Sequence, residues 1–354
     1  MNSLKGDSPL TAENRIAVVI PCYKVRDHIQ EVLLGIGGEV WRIYVVDDGC
    51  PEKSGDLVVE EVADPRVRVI YNPENLGVGG AVITGYRRAV EEGADIVVKM
   101  DGDGQMDAKF IPTLVKPIID GQADYTKGNR FFSPENLVTM PWVRMIGNSV
   151  LSFVNKAVSG YWNTMDPTNG FTAIHAHMIR LLPLNAVSKR FFFESDILFR
   201  LGTFRAVIRE VPMKSIYNSE TSNLKILSTI GSFPLKFLRR FVLRIGYNYF
   251  VRDFNVCSLQ LLFGTMLLMF GGWFGITNWI KSAEAQIATP TGTIMLSVLP
   301  IIMGFQLLLS AISFDVSNVP QEPLHPSLDD VSLSTFSEDA ERDNEKPEIE
   351  VLAN

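Results

Sequence analysis

Over the first 230 residues, short apolar runs alternate with segments of helical period. Arg15–Pro21 (RIAVVIP), Trp41–Asp47 (WRIYVVD), Val67–Tyr71 (VRVIY) and Ile96–Met100 (IVVKM) are brief, apolar and rich in β-branched residues. Such runs suit strands buried on both faces of a parallel sheet. Helical patterns, for instance Gly80–Glu92, lie between them. The alternation predicts an α/β domain over residues 15–230, Rossmann-like, with a mostly parallel sheet. Ligands of such sheets bind outside the carboxyl ends of the strands. The chain shows no internal repeat.

The pattern then changes. Residues 231–255 predict an amphipathic helix: Lys236, Arg240 and Arg244 recur at i, i+4, i+8, and Leu235, Leu238, Val242, Ile245 and Tyr249 mark another face. A basic amphipathic helix at this place reads as interfacial, with its basic face on anionic lipid. Residues 256–280 and 292–314 carry no charge over 25 and 23 residues, enough for each to cross a bilayer. Two buried helices of a soluble protein are the competing reading. Trp273 and Trp279 lie toward the far end of the first span, where indoles favour the interface. The loop 281–291 holds one Lys, whereas Lys225, Lys236, Arg239, Arg240, Arg244 and Arg252 precede the first span. The positive-inside rule puts the α/β domain in the cytoplasm. Residues 1–14 are polar and carry no secretory signal pattern.

Composition refines this layout. With 46% apolar residues over 354 and a mean hydropathy of +0.13, the chain is neither wholly disordered nor an ordinary soluble protein. Its net charge of −7 is uneven: residues 315–354 hold eleven acidic and two basic side chains, so the tail is −9 and the rest +2. That tail, with four prolines and no apolar period, is expected to be disordered and cytoplasmic. No nucleic-acid partner is expected. Cys22, Cys50 and Cys257 form neither a zinc spacing nor a disulfide framework.

The chemically loaded residues sit at the strand ends. Asp101-Gly102-Asp103-Gly104-Gln105 places two carboxylates two residues apart after a buried strand. Converging like charges call for compensation, and Mg²⁺ or Mn²⁺ takes its ligands from one or two carboxylates plus substrate phosphates. An acidic surface turn is the plainer alternative. Asp47-Asp48-Gly49 offers acceptors for a ribose or a base edge, or is an Asp-Gly turn. Asn75-Leu76-Gly77-Val78-Gly79-Gly80 is not GxGxxG, because Val82 stands where the third glycine belongs, and no GxxxxGK[ST] occurs. Its glycines read as structural. Arg130 and Arg144 provide forks for a phosphate, though either alone reads rather as a surface residue. His175-Ala-His177 is the one close histidine pair, and no GxSxG elbow is present. Metal-binding carboxylates, arginines and no evident base imply an acceptor that is already anionic.

Taken in order, Ile20-Pro21-Cys22-Tyr23, Val45-Val46-Asp47-Asp48-Gly49, Asn75-Leu76-Gly77, Asp101-Gly102-Asp103-Gly104-Gln105, Gly128-Asn129-Arg130 and Asp166-Pro167-Thr168-Asn169-Gly170-Phe171 resemble the family 2 glycosyltransferases. The resemblance is to the polyprenyl-phosphate glycosyltransferases, which include dolichol-phosphate mannose synthase and bacterial undecaprenyl-phosphate sugar transferases. It implies a GT-A fold and transfer of a hexose from a nucleotide-diphosphate sugar, of UDP-glucose or GDP-mannose type, to a polyprenyl phosphate. It further implies a divalent metal on Asp101, Asp103 and Gln105, and a nucleoside pocket lined by Pro21, Tyr23 and Asp47, with Asp48 and Asn75 nearby. The lipid phosphate would be held by Arg130 and Arg144, with Asn148 one turn further on. Glu194, Tyr217, Glu220 and Ser222 would lie on the acceptor-side helix and loop. An integral membrane protein of a bacterial inner membrane is implied, with the oligomeric state open between a monomer and a homo-oligomer. The sequence departs from the family at Val25, where a Glu is usual, and at Asn223, where a Lys is usual. Two alternatives are a processive polysaccharide synthase, whose Gln-x-x-Arg-Trp motif is absent here, and an inactive membrane sugar-nucleotide sensor or scaffold.

Overall fold

The computed structural model describes residues 14–132, 142–213 and 226–328, without the side chains of residues 143–144 and 226–233. The four apolar runs form strands at nearly the expected bounds: β1 (Ile16–Cys22), β2 (Val40–Asp47), β3 (Val67–Tyr71) and β4 (Ile96–Lys99). Three more strands complete the sheet: β5 (Tyr125–Asn129), β6 (Thr172–His175) and β7 (Ile208–Pro212). The order is β3-β2-β1-β4-β6-β5-β7. Strands β1 to β4 pair in parallel, as do β5 and β7, while β6 runs antiparallel to both β4 and β5.

Alternation along each strand feeds two apolar layers. Val18, Ile20 and Val98 face α1 (Ile29–Leu34), α2 (Ser54–Glu61) and α4 (Ile111–Ile119). Ala17, Val19, Tyr44 and Val46 face α3 (Val78–Glu91), α6 (Ala176–Leu181) and α7 (Phe193–Phe204). Cys22 lies opposite Asp47, and Asp47 opposite Tyr71, so β1, β2 and β3 end level. That level edge carries the predicted chemistry.

Helix α5 (Trp142–Ser159) packs beside α8 (Ile226–Gly246) through Leu151, Val154, Val158, Phe192, Phe199 and Phe237. Both helices leave apolar side chains exposed: Trp142, Ile146, Val150 and Phe153 on α5, and Leu235, Leu238 and Val242 on α8. The expectation for residues 231–255 is therefore corrected in two ways. The helix starts earlier and ends in a π-helical turn, Tyr247–Arg252. Its basic face is also largely turned inward. Arg240 pairs with the buried Asp196 at 2.7 Å and Arg244 is buried, because two carboxylates of the folded protein claim them. Leu235, Leu238 and Val242 of the apolar face are left outside along with Lys236, whereas Ile245 is half-buried and Tyr249 buried.

The two charge-free stretches form α9 (Val256–Glu284) and α10 (Thr291–Ser317), each a few residues longer than expected. Only 11% and 17% of their most apolar windows are buried, so most of their apolar surface faces outward. By length and composition both are candidate membrane spans. They meet through small residues: a Cβ on Gly304 would lie 2.7 Å from the Gly264 carbonyl oxygen. Such contacts let helix backbones approach closely where apolar burial gives no drive.

Residues 315–328 correct the expected tail, since they are built into the fold. Asp315, near the end of α10, accepts from Arg244 Nη1 at 2.7 Å and Nη2 at 2.9 Å. It also accepts from Tyr249 Oη at 2.5 Å and Trp162 Nε1 at 2.7 Å. Further on, the short turn α11 (His325–Leu328) docks at the amino-terminal edge of the sheet. Asp124 there is fully buried; it accepts from the backbone of Val207 at 2.8 Å and His325 at 2.8 Å, and faces His325 Nδ1 at 2.9 Å. The His325 ring stacks on His175 with centroids 4.3 Å apart. Burial, with His325 and His177 beside it, pushes His175 down to about 3, so it stays neutral. An acidic composition hid these anchors, because their partners lie far away in sequence. The rest of the tail, 329–354, and residues 1–13 are outside the described residues.

Replacing Asp315 alone strands a buried guanidinium. Asp315→Ala is expected to lower stability by about 3–5 kcal/mol. The pair Arg244→Met, Asp315→Leu removes both charges and should recover part of that loss. Thermal unfolding of the detergent-solubilised protein checks this. Equal losses in the single and the paired variant would contradict the ion pair's role.

Candidate active site

The site is built where β1, β2 and β4 end. Asp101 follows β4 after one intervening residue, with its side chain 31% exposed. Beneath it Lys99, the last residue of β4, is 2% exposed at its side chain. Lys99 Nζ lies 2.9 Å from Asp101 Oδ1 and 3.2 Å from Glu194 Oε1, in the first turn of α7. Burial works against the ammonium charge, but Asp101 and then Glu194 outweigh it, and Lys99 stays protonated above the ordinary lysine range. Gly170 has no side chain where this pair sits: a Cβ there would fall on Lys99 Nζ and on Asp101 Oδ2. Asp103 Oδ1 accepts from the Gln105 backbone at 3.0 Å, closing a tight turn, and Gly104 takes φ +75° within it. Asp103 and Gln105 are half-buried beside Asp101.

The donor set fits a hard divalent cation. Carboxylate and amide oxygens are the ligands that Mg²⁺ and Mn²⁺ take, and these ions complete their shells with water and substrate phosphate. Among the described residues no group of three or more His, Cys, Asp or Glu side chains is placed to hold a metal. Two carboxylates opened by a turn are the amount of protein ligand that a phosphate-bridging ion uses.

The predicted nucleoside side is divided between lining and support. Tyr23 is exposed at the rim, with Lys24 Nζ 5.8 Å from its ring centroid, and Pro21 is half-buried. Asp47 and Asp48 are buried, and their oxygens hold loops in place. Asp47 accepts from the backbone of Cys50 at 2.7 Å and of Gly55, at the start of α2, at 2.8 Å. Asp48 accepts from Asn72 Nδ2 at 2.7 Å and from the backbone of Leu76 at 3.0 Å and Gly77 at 2.8 Å. Asn75 is half-buried on the loop that Asp48 holds. The glycines of that loop are structural, as read from the sequence. A Cβ on Gly77 would meet the Lys189 carbonyl oxygen at 2.7 Å, and one on Gly79 the Ser188 carbonyl oxygen at 2.6 Å. Val25, where the family has Glu, sits under the acidic turn, 3.2 Å from where a Cβ of Gly102 would stand.

On the other side Arg130 follows β5 and is gripped by Asp166. Its Nε donates to Oδ2 at 2.7 Å and its Nη2 to Oδ1 at 2.9 Å, a two-pronged pairing with a fully buried carboxylate. The guanidinium is still 28% exposed. Glu210 in turn holds the Asp166 loop, accepting from the backbone of Met165 at 2.7 Å and Asp166 at 2.8 Å. Burial pushes the Glu210 carboxyl up, against these hydrogen bonds. Lys127, wholly buried in β5, donates to the Asn169 carbonyl, and burial pushes it down to about 8. Arg144 lies in α5, its side chain outside the described residues; Asn148 is half-buried one turn on. Tyr217, Glu220 and Ser222 fall outside the described residues.

Sequence reasoning missed Lys99 and gave Asp166 and Glu210 no role. A lysine inside the run IVVKM, two residues before the acidic pair, was the available signal, because a buried charge needs partners.

The model of glycosyl transferase family 2 matches residues 17–182, from β1 to the end of α6. A UDP-N-acetylglucosamine–dolichyl-phosphate N-acetylglucosaminyltransferase of Methanococcus voltae is 30% identical over 66% of this chain and 98% of its own length. An undecaprenyl-phosphate mannosyltransferase of Micrococcus luteus is 31% identical over 56% of this chain and 82% of its own. Among solved structures, the glucosyl-3-phosphoglycerate synthase of Mycobacterium tuberculosis with UDP is 20% identical over 67% of this chain and 82% of that one, at a TM-score of 0.49. A GT-A-like α/β sheet with acidic residues at its strand ends, followed by two apolar helices, is thus joined to relatives that transfer sugars to polyprenyl phosphates, and the chain belongs to glycosyl transferase family 2, as a glycosyltransferase.

Proposed function

We propose that the protein transfers a hexose, with inversion, from a nucleotide-diphosphate sugar to a polyprenyl phosphate at the cytoplasmic face of a membrane. The observation that carries this reading is the acidic turn Asp101–Gln105 at the end of β4, in a domain joined to two apolar helices. The names of the relatives support the acceptor class, and the apolar faces of α5 and α8 support a site at the level of the lipid head groups. UDP and GDP donors, and undecaprenyl and dolichyl acceptors, are the pairs to test. A bacterial inner membrane is the proposed location.

In this mechanism Asp101, Asp103 and Gln105 hold a divalent ion, which when bound neutralises charge on the leaving diphosphate. Pro21 and Tyr23 line the nucleoside pocket, and Asp47, Asp48 and Asn75 set its loops. Arg130, held in orientation by Asp166, grips the lipid phosphate together with Arg144 and Asn148. A phosphate oxygen of the lipid attacks the anomeric carbon in line, and the nucleoside diphosphate leaves. A phosphate monoester has a second pKa of about 6, so the nucleophile is already deprotonated at neutral pH and no side-chain base is needed. Positioning by the arginines supplies much of the rate. Glu194 and the segment holding Tyr217, Glu220 and Ser222 form the acceptor side.

Two outcomes follow in membranes given labelled UDP- or GDP-sugars, with undecaprenyl or dolichyl phosphate as acceptor. Asp101→Asn should lower transfer of label into chloroform-soluble product by about 100-fold or more in a protein that still folds, since Lys99 keeps Glu194 as a partner, and EDTA should lower it likewise in the parent protein. Parent-level turnover in either case would refute the metal role. Arg130→Lys keeps the charge but breaks the fork, and should raise KM for the lipid phosphate by about tenfold without changing nucleotide affinity. A change confined to nucleotide affinity would move Arg130 to the donor side.

A further inference from the structure

Lys99 places a fixed positive charge against the carboxylate that the proposed metal would use. The register puts Lys99 opposite Val19, inside the sheet, where nothing but protein surrounds its stem. Its ammonium reaches Asp101 Oδ1 at 2.9 Å and Glu194 Oε1 at 3.2 Å. Gly170 closes over the pair from the Asp166–Phe171 loop, since a side chain there would land on both Nζ and Asp101 Oδ2. A cation arriving at Asp101 must share that carboxylate with a second positive charge, and the ammonium itself is shielded from water, so the two are only partly screened from one another. A diphosphate arriving with the cation brings negative charge that offsets the repulsion.

We propose that Lys99 is the resident counter-ion and positioning residue of Asp101, and that it makes tight capture of the divalent ion conditional on the donor diphosphate. Held between two carboxylates, Lys99 compensates the acidic pair while the donor is absent. It fixes Asp101 through Oδ1, and with a cation on Asp101 the ammonium would keep Glu194 as its partner. Glu194 thereby links α7 on the acceptor side to the acidic turn. The inference rests on the assignment of Asp101 as a metal ligand, and it adds a residue and an order of binding to that assignment.

The test is equilibrium Mn²⁺ binding, read from the electron paramagnetic resonance of free Mn²⁺, on the purified full chain in detergent. Measurements are made with Mn²⁺ alone and with UDP or GDP. Lys99→Met keeps the stem and removes the charge, and it should bind Mn²⁺ alone at least about tenfold more tightly than the parent. The difference should shrink when the better of the two nucleotides is present. Glu194→Gln leaves Lys99 to Asp101 alone and should weaken Mn²⁺ binding about threefold. A purely structural role moves Lys99→Met the other way, because an unsupported Asp101 binds less well. Equal or weaker Mn²⁺ binding by a folded Lys99→Met protein overturns the proposal. If that variant does not fold, unchanged or tighter binding by Glu194→Gln overturns it. Nucleotide-supported Mn²⁺ binding that Asp101→Asn abolishes, with no gain in Lys99→Met, removes the Lys99 proposal and leaves the metal site standing. Binding that Asp101→Asn leaves intact removes both.

Discussion

Asp315 receives donors from three elements: Trp162 of the α/β domain and, some eighty residues further along the chain, Arg244 of α8 and Tyr249 of the π-helical turn that follows it. It lies near the end of the second apolar helix. One carboxylate therefore joins the helix pair, the helix with the exposed apolar face, and the sugar-transfer domain. Buried ionic contacts of this type add little net stability over an apolar replacement, yet they are costly to break on one side only. What they fix is geometry. For the transfer to a lipid phosphate proposed above, the domain must stand at a set height and tilt, and a flexible hinge between it and the two apolar helices would leave that open. Asp124 adds a second tether, through the backbone of residues 324–325.

With that frame in place, the strand-end site is a problem of charge. Asp101, Glu194 and Asp166 lie near one another's loops, and each is answered by a cation of the chain: Lys99 for the first two and Arg130 for the third. Both cations are more buried than solvent-facing lysines and arginines usually are. Asp101 and Arg130 are thus each held in place by an ion pair within the chain.

The α/β layout was legible because buried parallel strands leave short β-branched runs, and four of them appear almost to the residue. The place of the acidic turn at a strand end was legible because it follows such a run. Lys99 escaped notice because the same run masks a charge whose partners, Asp101 and Glu194, meet it only in three dimensions. The basic face of α8 misled for a related reason. Lipid was the only anion visible to the sequence, whereas Asp196 and Asp315 take Arg240 and Arg244. Composition also placed residues 315–328 in a featureless acidic tail. The docking of Asp315 and His325 depends on single contacts that no average over forty residues can register. The apolar face of α5 lay in a stretch whose helical period was not read at all.

The central claim is that the bond broken lies between the anomeric carbon and the donor phosphate oxygen, with a lipid phosphate as nucleophile. Two donors of the same sugar nucleotide, one labelled in the sugar and the other in the β-phosphate, test it most directly when incubated with polyprenyl phosphate and the full-length protein. The sugar label should enter the chloroform-soluble fraction, while the β-phosphate label stays in water as nucleoside diphosphate. Transfer of both labels to the lipid would mean a sugar-phosphate transferase, and would contradict the account.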